Sequence, residues 1–300
     1  MNNNKVINAI VSGIITELEN GEIPVWRKTW SAVHPQNVAS KSQYRGINTF
    51  LTQADTLRNG YTYPLYISVK QCRDSKGKFR LKKEALRKKL YCPIVKWIVY
   101  THDKDGNELE KKRFSCRYYQ LYNIDLLETG RELVLPKLKE NNSIDDIDMS
   151  IAPYTDTLAG IEHAFNAWYA PVRDIVGIPN LNEFDSSQAY YETLFHELAH
   201  STGHASRLKR DLATKTDKYN YSIEELTAEI AASMLCSEFG LQRTDKRDIA
   251  YIQSWLKVLK DDKSILVIAA QRAQHAVDMI MQRQPKYEDK QPLTAQEING

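Results

Sequence analysis

The run His196-Glu197-Leu198-Ala199-His200 places two imidazoles four positions apart with a carboxylate beside the first. On a helix, residues four apart lie one turn above each other on the same face, so both rings can converge on one ion. Glu197 can then reach a water at that ion as general base. The chemistry of such a set is metal-assisted hydrolysis. The plain alternative, a solvated helix face carrying two histidines, is disfavoured by the helical context, which runs from a cap at 185–187 to a stop at Gly203.

A hydrolytic zinc site takes three protein ligands and leaves one position open, so a third group must come from elsewhere in the chain. His204 continues the four-residue series, but Gly203 is expected to end the helix, and the longer H-E-x-x-H-x-x-G-x-x-H spacing needs histidine where the chain has Ser206. The segment 222–229 offers Glu225 and Glu229, four apart on one helical face. One can ligate while the other fixes the second nitrogen of a histidine. Ser222-x-x-Glu225 also reads as a capping box, in which the glutamate only returns to the helix N-terminus. Imidazole and carboxylate ligands suit zinc, with manganese also compatible.

A second set of residues suits a polyanion. Between Lys70 and Lys89 stand ten Lys or Arg, among them Lys78, Arg80, Lys82, Lys83, Arg87, Lys88 and Lys89, against Asp74 and Glu84. Aromatic residues surround the run, including Trp26, Trp30, Tyr44, Tyr66, Phe79, Tyr91, Trp97, Phe114, Tyr118 and Tyr119. Single-strand binders use this mixture, cations neutralising phosphates while aromatic faces stack on unpaired bases. For any one residue the plainer reading is a solvated charge or a core aromatic.

The elements that must position these sets follow from periodicity and charge. Residues 1–117 carry 22 Lys and Arg against 10 Asp and Glu, a net of +12, and residues 118–300 carry 19 against 28, a net of −9. The basic half is expected to be α+β: a helix at about 4–20, another at about 48–57, and a hairpin of strands 93–100 and 114–122 around the Asp103–Asn107 turn. The acidic half is expected to be mainly helical, at about 156–168, 187–202, 222–239, 246–260 and 264–282, with an extended edge at 173–178. The boundaries expected are a basic domain over 1–135, a polar linker over 136–150, a metal domain over 151–290 and a frayed tail over 291–300. No apolar run approaches the roughly 18 residues of a membrane-crossing helix. Cys72, Cys92, Cys116 and Cys236 stand singly, as reduced thiols of a cytoplasmic protein do.

Residues 190–204, followed by Arg207-Leu208 and Glu224-Glu225-Leu226-Thr227-Ala228-Glu229, resemble the zincin-like metallopeptidase domain of ArdC-type antirestriction proteins. Pro24-Val25-Trp26-Arg27-Lys28-Thr29-Trp30, Tyr44-Arg45-Gly46-Ile47-Asn48 and Tyr122-Asn123-Ile124-Asp125 resemble the single-stranded-DNA-binding domain of the same family. The chain departs from the family's Gly-containing turn at 73–92, where it is Lys-rich, and has Leu126 and Leu127 where a glutamine is common. The likeness to the E-x-x-A-D pattern of gluzincins implies Glu225 as the third ligand and Glu229 as support to a histidine, with Glu at 229 in place of Asp. It implies an α+β DNA-binding domain followed by a gluzincin-like domain. The role it implies is protection of a mobile element's incoming DNA from a host restriction endonuclease, with Trp26, Trp30, Tyr44, Arg45 and Asn48 near the strand. A different class also fits: a non-catalytic DNA-binding protein whose metal domain is a scaffold docking to a nuclease. A nuclease fits less well, since two-metal phosphodiester chemistry wants more clustered carboxylates.

Overall fold

The computed structural model describes residues 3–22, 24–28, 30, 32–102, 108–136, 144–212, 218–243 and 249–284. The chain forms two compact units, one from the described residues of 1–16 and 33–137, the other from those of 17–32 and 138–292. Helix α1 (Asn3–Glu19) opens the chain, with Ile7, Val11, Ile14 and Leu18 buried at helical spacing.

In the first unit, β1 (Gln36–Asn37), β2 (Leu65–Ile67), β4 (Cys92–His102) and β5 (Glu108–Asn123) form one sheet in the order β1-β2-β5-β4. The long antiparallel pair β4–β5 is the expected hairpin, extended at both strands. Its turn, 103–107, lies outside the described residues. Helix α2 (Ile47–Arg58) packs against β4, and here Asn48 does structural work. Its amide donates to the Val95 carbonyl at 2.7 Å and accepts from the Val95 N–H at 2.9 Å. Because β4 ends the sheet, Asn48 supplies partners that no neighbouring strand provides.

The Lys-rich departure is not a plain loop. It folds as α3 (Val69–Asp74), β3 (Arg80–Leu81) and α4 (Lys83–Arg87), with β3 paired to β6 (Leu127–Thr129). Ser68 and Gln71 form a capping box that starts α3. Cys72, Phe79, Leu81 and Ala85 enter a core shared with Leu65, Ile67, Tyr122, Ile124 and Leu127, which leaves the intervening cations outside. At Gly130 the backbone is left-handed and a Cβ would meet the Lys78 carbonyl oxygen at 2.3 Å, so the return of the chain beside this segment requires glycine.

The second unit holds α5 (Ile144–Thr155), the three-stranded sheet β7 (Gly160–His163), β8 (Trp168–Ala170) and β9 (Ile175–Ile178), then α6 (Ser187–Ser201), α7 (Lys218–Phe239), α8 (Ile249–Asp261) and α9 (Ser264–Ile280). Helix α7 is buried over most of its length, its apolar residues interspersed with buried Glu224, Thr227, Glu229 and Ser233, and it packs against α6, α8, α9 and the short turn Val25–Arg27.

Four expectations are corrected. The helix expected at 156–168 is instead β7 and β8, and helix α5 lies earlier, beginning within the stretch 136–150 read as linker and running past its end. Ile147, Ile151 and Tyr154, spaced four and three apart, are buried, so the acidic residues between them mark the outer face of a helix rather than a tether. Residues 137–143 and 291–300 lie outside the described set. The 173–178 segment is no edge: β9 is central, in the order β7-β9-β8, and β8 is the edge strand that packs against α6. Finally, residues 17–32 belong to the second unit, although they fall within the first 135.

Asn48→Ala leaves both Val95 groups without that partner and is expected to lower stability by about 1 to 3 kcal/mol. Denaturant unfolding of the two proteins measures it.

Candidate metal centre

Helix α6 starts at Ser186, whose hydroxyl accepts from the Ala189 N–H, and ends where Gly203 donates to the His200 carbonyl. The chain passes close to Gly203: a Cβ there would meet the Leu212 side chain at 2.5 Å and the Arg210 guanidinium at 3.1 Å, so any larger residue displaces one of them. On this helix the two Nε2 atoms of His196 and His200 face each other at 3.1 Å. Helix α7 brings Glu225 against both, its Oε2 at 3.6 Å from His196 Nε2 and its Oε1 at 3.7 Å from His200 Nε2. Tetrahedral ligands at about 2.0 to 2.1 Å from one zinc ion lie about 3.3 Å from each other. One donor atom from each of the three residues lies within 4.8 Å of the others, a triangle compact enough to share one ion.

Capping does not explain Glu225, because α7 begins at Lys218 and Ser222 lies inside the helix. His204 is turned away, its ring bonded to the Ser206 hydroxyl at 2.7 Å. Burial alone would disfavour a proton on His196, yet its hydrogen bond to the Glu225 carboxylate and the charges of Glu229 and Glu197 raise its pKa to about 9. Burial would likewise raise the Glu225 carboxyl, but the His196 bond and the two imidazoles hold it well below the usual carboxylate range. The pocket is acidic and favours a positive charge at its centre.

Behind each imidazole stands a second carboxylate held by arginine. His200 Nδ1 lies 3.1 Å from Glu224 Oε1, and Arg210 grips both oxygens of Glu224 at 2.8 and 2.9 Å. Burial pushes the Glu224 carboxyl up, and the Arg210 charge overrides it, leaving Glu224 ionised well below its ordinary range. Arg210 also donates to the Ala199 carbonyl at 2.7 Å and the Thr202 hydroxyl at 2.8 Å, tying this pair to the end of α6. Sequence reading missed Glu224 and Arg210. The adjacent glutamates at 224 and 225 were visible, but only the helix phase shows that each faces a different side of the same ring. His196 Nδ1 lies 3.7 Å from Glu229 Oε1, which is held by Arg27 at 2.6 Å, while Arg243 reaches Glu229 Oε2 at 3.1 Å.

Glu197 is buried to 9% exposure, and among the described residues it takes no hydrogen bond or ion pair. Its charge acts on His196. The tyrosines near the motif are structural: Tyr191 donates to Asp148 at 2.8 Å and Tyr169 to Asp174 at 2.8 Å, while Tyr190 packs edge-on against Tyr191.

The residues expected at a nucleic-acid strand divide sharply. Lys78, Arg80, Lys82, Lys83, Arg87, Lys88 and Lys89 are all exposed. Arg80 pairs with Glu128, Lys88 with Glu84, and Lys82 donates to the Asp125 carbonyl. Lys83, Arg87 and Lys89 have no carboxylate partner among the described residues. Trp26 and Trp30 are corrected: they are 0% and 4% exposed, Trp26 set edge-on to Trp255 and the Trp30 indole bonded to the Val25 carbonyl. Neither face is open to a base. Tyr44 is buried against Tyr66 and bonded by Asn37, Asn48 is engaged with Val95, and Arg45 is half-buried. Tyr66 and Phe79 are core, Tyr91 packs on Tyr118, and Tyr119 is exposed. The side chains of Trp97, Phe114 and Cys116 lie outside the described set, and Cys72, Cys92 and Cys236 are free and buried. No described helix is long and apolar enough to cross a membrane.

Residues 153–272 match the family described as zincin-like metallopeptidase, and residues 4–124 match the N-terminal domain of anti-restriction factor ArdC. The chain superposes on the metal-free crystal structure of the antirestriction ArdC protein from the R388 plasmid with a TM-score of 0.75 at 30% identity, covering 91% of this chain and 96% of that one. For the Mn(II)-bound structure of the same protein the TM-score is 0.72 at 30% identity, with 92% and 97% covered. A DNA primase TraC of Escherichia coli is 28% identical over 297 residues, which cover 91% of this chain but only 26% of the primase. The chain thus spans about a quarter of that relative's length. The protein y4eC of Sinorhizobium fredii (strain NBRC 101917 / NGR234) is 28% identical over 295 residues, 93% of this chain and 92% of that protein.

Glu224→Ala strands Arg210, whose side chain is 5% exposed, without its anion. Breaking a buried pair in this way is expected to cost about 3 to 5 kcal/mol, measured by denaturant unfolding of the metal-free protein.

Proposed function

The chain belongs to the ArdC antirestriction family, and on that footing we propose that it grips single-stranded DNA through its basic unit and hydrolyses peptide bonds in its zincin-like unit. In this reading it protects the incoming DNA of a mobile element, and its protein substrate is a host restriction endonuclease or another protein met at the DNA. The observation that carries the reading is the triangle of His196, His200 and Glu225, with an arginine-held carboxylate behind each imidazole.

His196, His200 and Glu225 would hold the ion, zinc in the first instance and manganese as an alternative. When bound, the ion supplies Lewis acidity, which acidifies a water and polarises a carbonyl. Glu197, buried on the same helix and not engaged by another described side chain, takes the proton from the attacking water and delivers it to the departing amine. Glu224 accepts from His200 Nδ1 and so keeps the Nε2 lone pair of that ring on the inner side. The neighbouring strand β8 is an open sheet edge, which can pair with an extended peptide.

For the basic unit, the support is the exposed cations of α3, β3 and α4 held on buried apolar anchors. They would contact phosphates, and the exposed ring of Tyr119 remains available for stacking. Affinity is therefore expected to carry little base preference and to fall steeply with salt.

Two measurements test the reading. A denatured, unstructured protein is incubated with the full chain and zinc or manganese, with and without single-stranded DNA, and with Glu197→Gln as blank. Cleavage is expected only with Glu197 intact; metal binding with no cleavage under any condition moves the zincin-like unit to the scaffold role. Fluorescence anisotropy with a labelled oligonucleotide checks the basic face. Lys83→Glu with Arg87→Glu is expected to weaken binding at low salt and flatten the dependence of log K on log salt, and an unchanged slope removes those residues from the strand.

A further inference from the structure

Glu225 and Glu229 are the same residue type, one turn apart on α7, and both approach His196. Something must make one a ligand and the other a support. Both oxygens of Glu229 are occupied by guanidinium groups: Arg27 Nη2 sits 2.6 Å from Oε1, and Arg243 Nη2 sits 3.1 Å from Oε2. Glu225 has no arginine partner among the described residues, and its carboxylate turns to the two Nε2 atoms.

The two arginines are anchored differently. Arg243 is 2% exposed and is shared with Glu192 at 2.7 Å, so it is fixed from within the helices. Arg27 arrives on the segment 17–32, about two hundred residues earlier in the chain. That segment is pinned by the Trp26 carbonyl, which accepts from Arg243 Nη1 at 2.8 Å and from the Ser233 hydroxyl. The Arg27 guanidinium also lies over the Trp255 ring, 5.7 Å from its centroid. Two carboxylates, Glu192 and Glu229, thereby face two guanidiniums, Arg27 and Arg243. The charge of Glu229 is met without the ion.

We infer that Arg27 is a positioning residue for the metal centre: by holding Glu229 Oε1 beside His196 Nδ1, it keeps Glu229 out of the ligand set and leaves His196 Nε2 and Glu225 to the ion. The inference rests on the metal reading above. It gives the 24–30 motif a purpose other than strand binding. Its conspicuous tryptophan is the buried anchor, and the arginine beside it is the working group. It also makes the zincin-like unit dependent on chain that precedes the basic unit's sheet.

The test uses the full chain and Co(II), because zinc has no visible spectrum. Affinity is measured by competition with a chelator, and the visible absorption of bound Co(II) reports the ligand geometry. Arg27→Gln is expected to weaken Co(II) binding about tenfold to a hundredfold and to alter the spectrum, as loss of an outer partner does. Arg27→Lys, which returns a cation, is expected to recover most of the affinity. Should Arg27→Gln fail to fold, Glu229→Gln removes the anion through which Arg27 acts and is expected to weaken binding to a similar degree. Wild-type affinity and spectrum in folded Arg27→Gln, or in Glu229→Gln, overturn the inference. His200→Ala separates the two levels: a wild-type chain that binds no Co(II), or His200→Ala that binds it equally well, overturns the metal site itself. Binding lost in His200→Ala but untouched in Arg27→Gln overturns the role of Arg27 alone.

Discussion

A carboxylate withdrawn from water is costly unless a cation or hydrogen bonds meet it, and the contact between α6 and α7 meets that demand for four glutamates. Glu192, Glu224, Glu225 and Glu229 all lie at or near the α6–α7 contact with little exposure. Arg210 satisfies Glu224, Arg243 joins Glu192 to Glu229, and Arg27 completes Glu229. Glu225 is left to two imidazoles and the Tyr221 hydroxyl. The asymmetry defines the site, because of these four acids the one without an arginine among the described residues is the one whose environment attracts a metal ion.

The same demand explains local choices that packing alone does not. Arg210 returns from the loop after α6 to reach Glu224, passing close to position 203, where the absence of a side chain leaves it room. Trp26 is buried not to read a base but to seat the neighbouring arginine. In the first unit the logic is reversed. Phe79, Leu81 and Ala85 provide the buried anchors, and the cations between them stay in water, where a polyanion can displace their counterions.

The candidate metal residues were legible in the sequence because a four-residue spacing maps directly onto one helix face. His196, Glu197, His200 and Glu225 were identified from that periodicity and the family likeness, as were α6 to α9 to within a few residues. Glu224, Arg210 and Arg243 were not, since no local pattern announces a partner that closes across two helices. Trp26 and Trp30 misled because tryptophan beside arginine suits both stacking and burial, and only tertiary contact distinguishes them. The α5 region was misread for a similar reason: Asp145, Asp146 and Asp148 dominate its composition, and its buried stripe is only Ile147, Ile151 and Tyr154. Strands β7 and β8 are too short, at four and three residues, for alternation to mark them.

The central claim is that His196, His200 and Glu225 together hold one ion while Glu229 stays outside its coordination. Anomalous diffraction at the zinc edge from crystals grown with zinc tests it most directly. The expected result is a single peak at about 2.0 to 2.2 Å from both Nε2 atoms and a Glu225 oxygen, with Glu229 still held by Arg27. A peak ligated by Glu229, or an ion bound away from the two histidines, would contradict it.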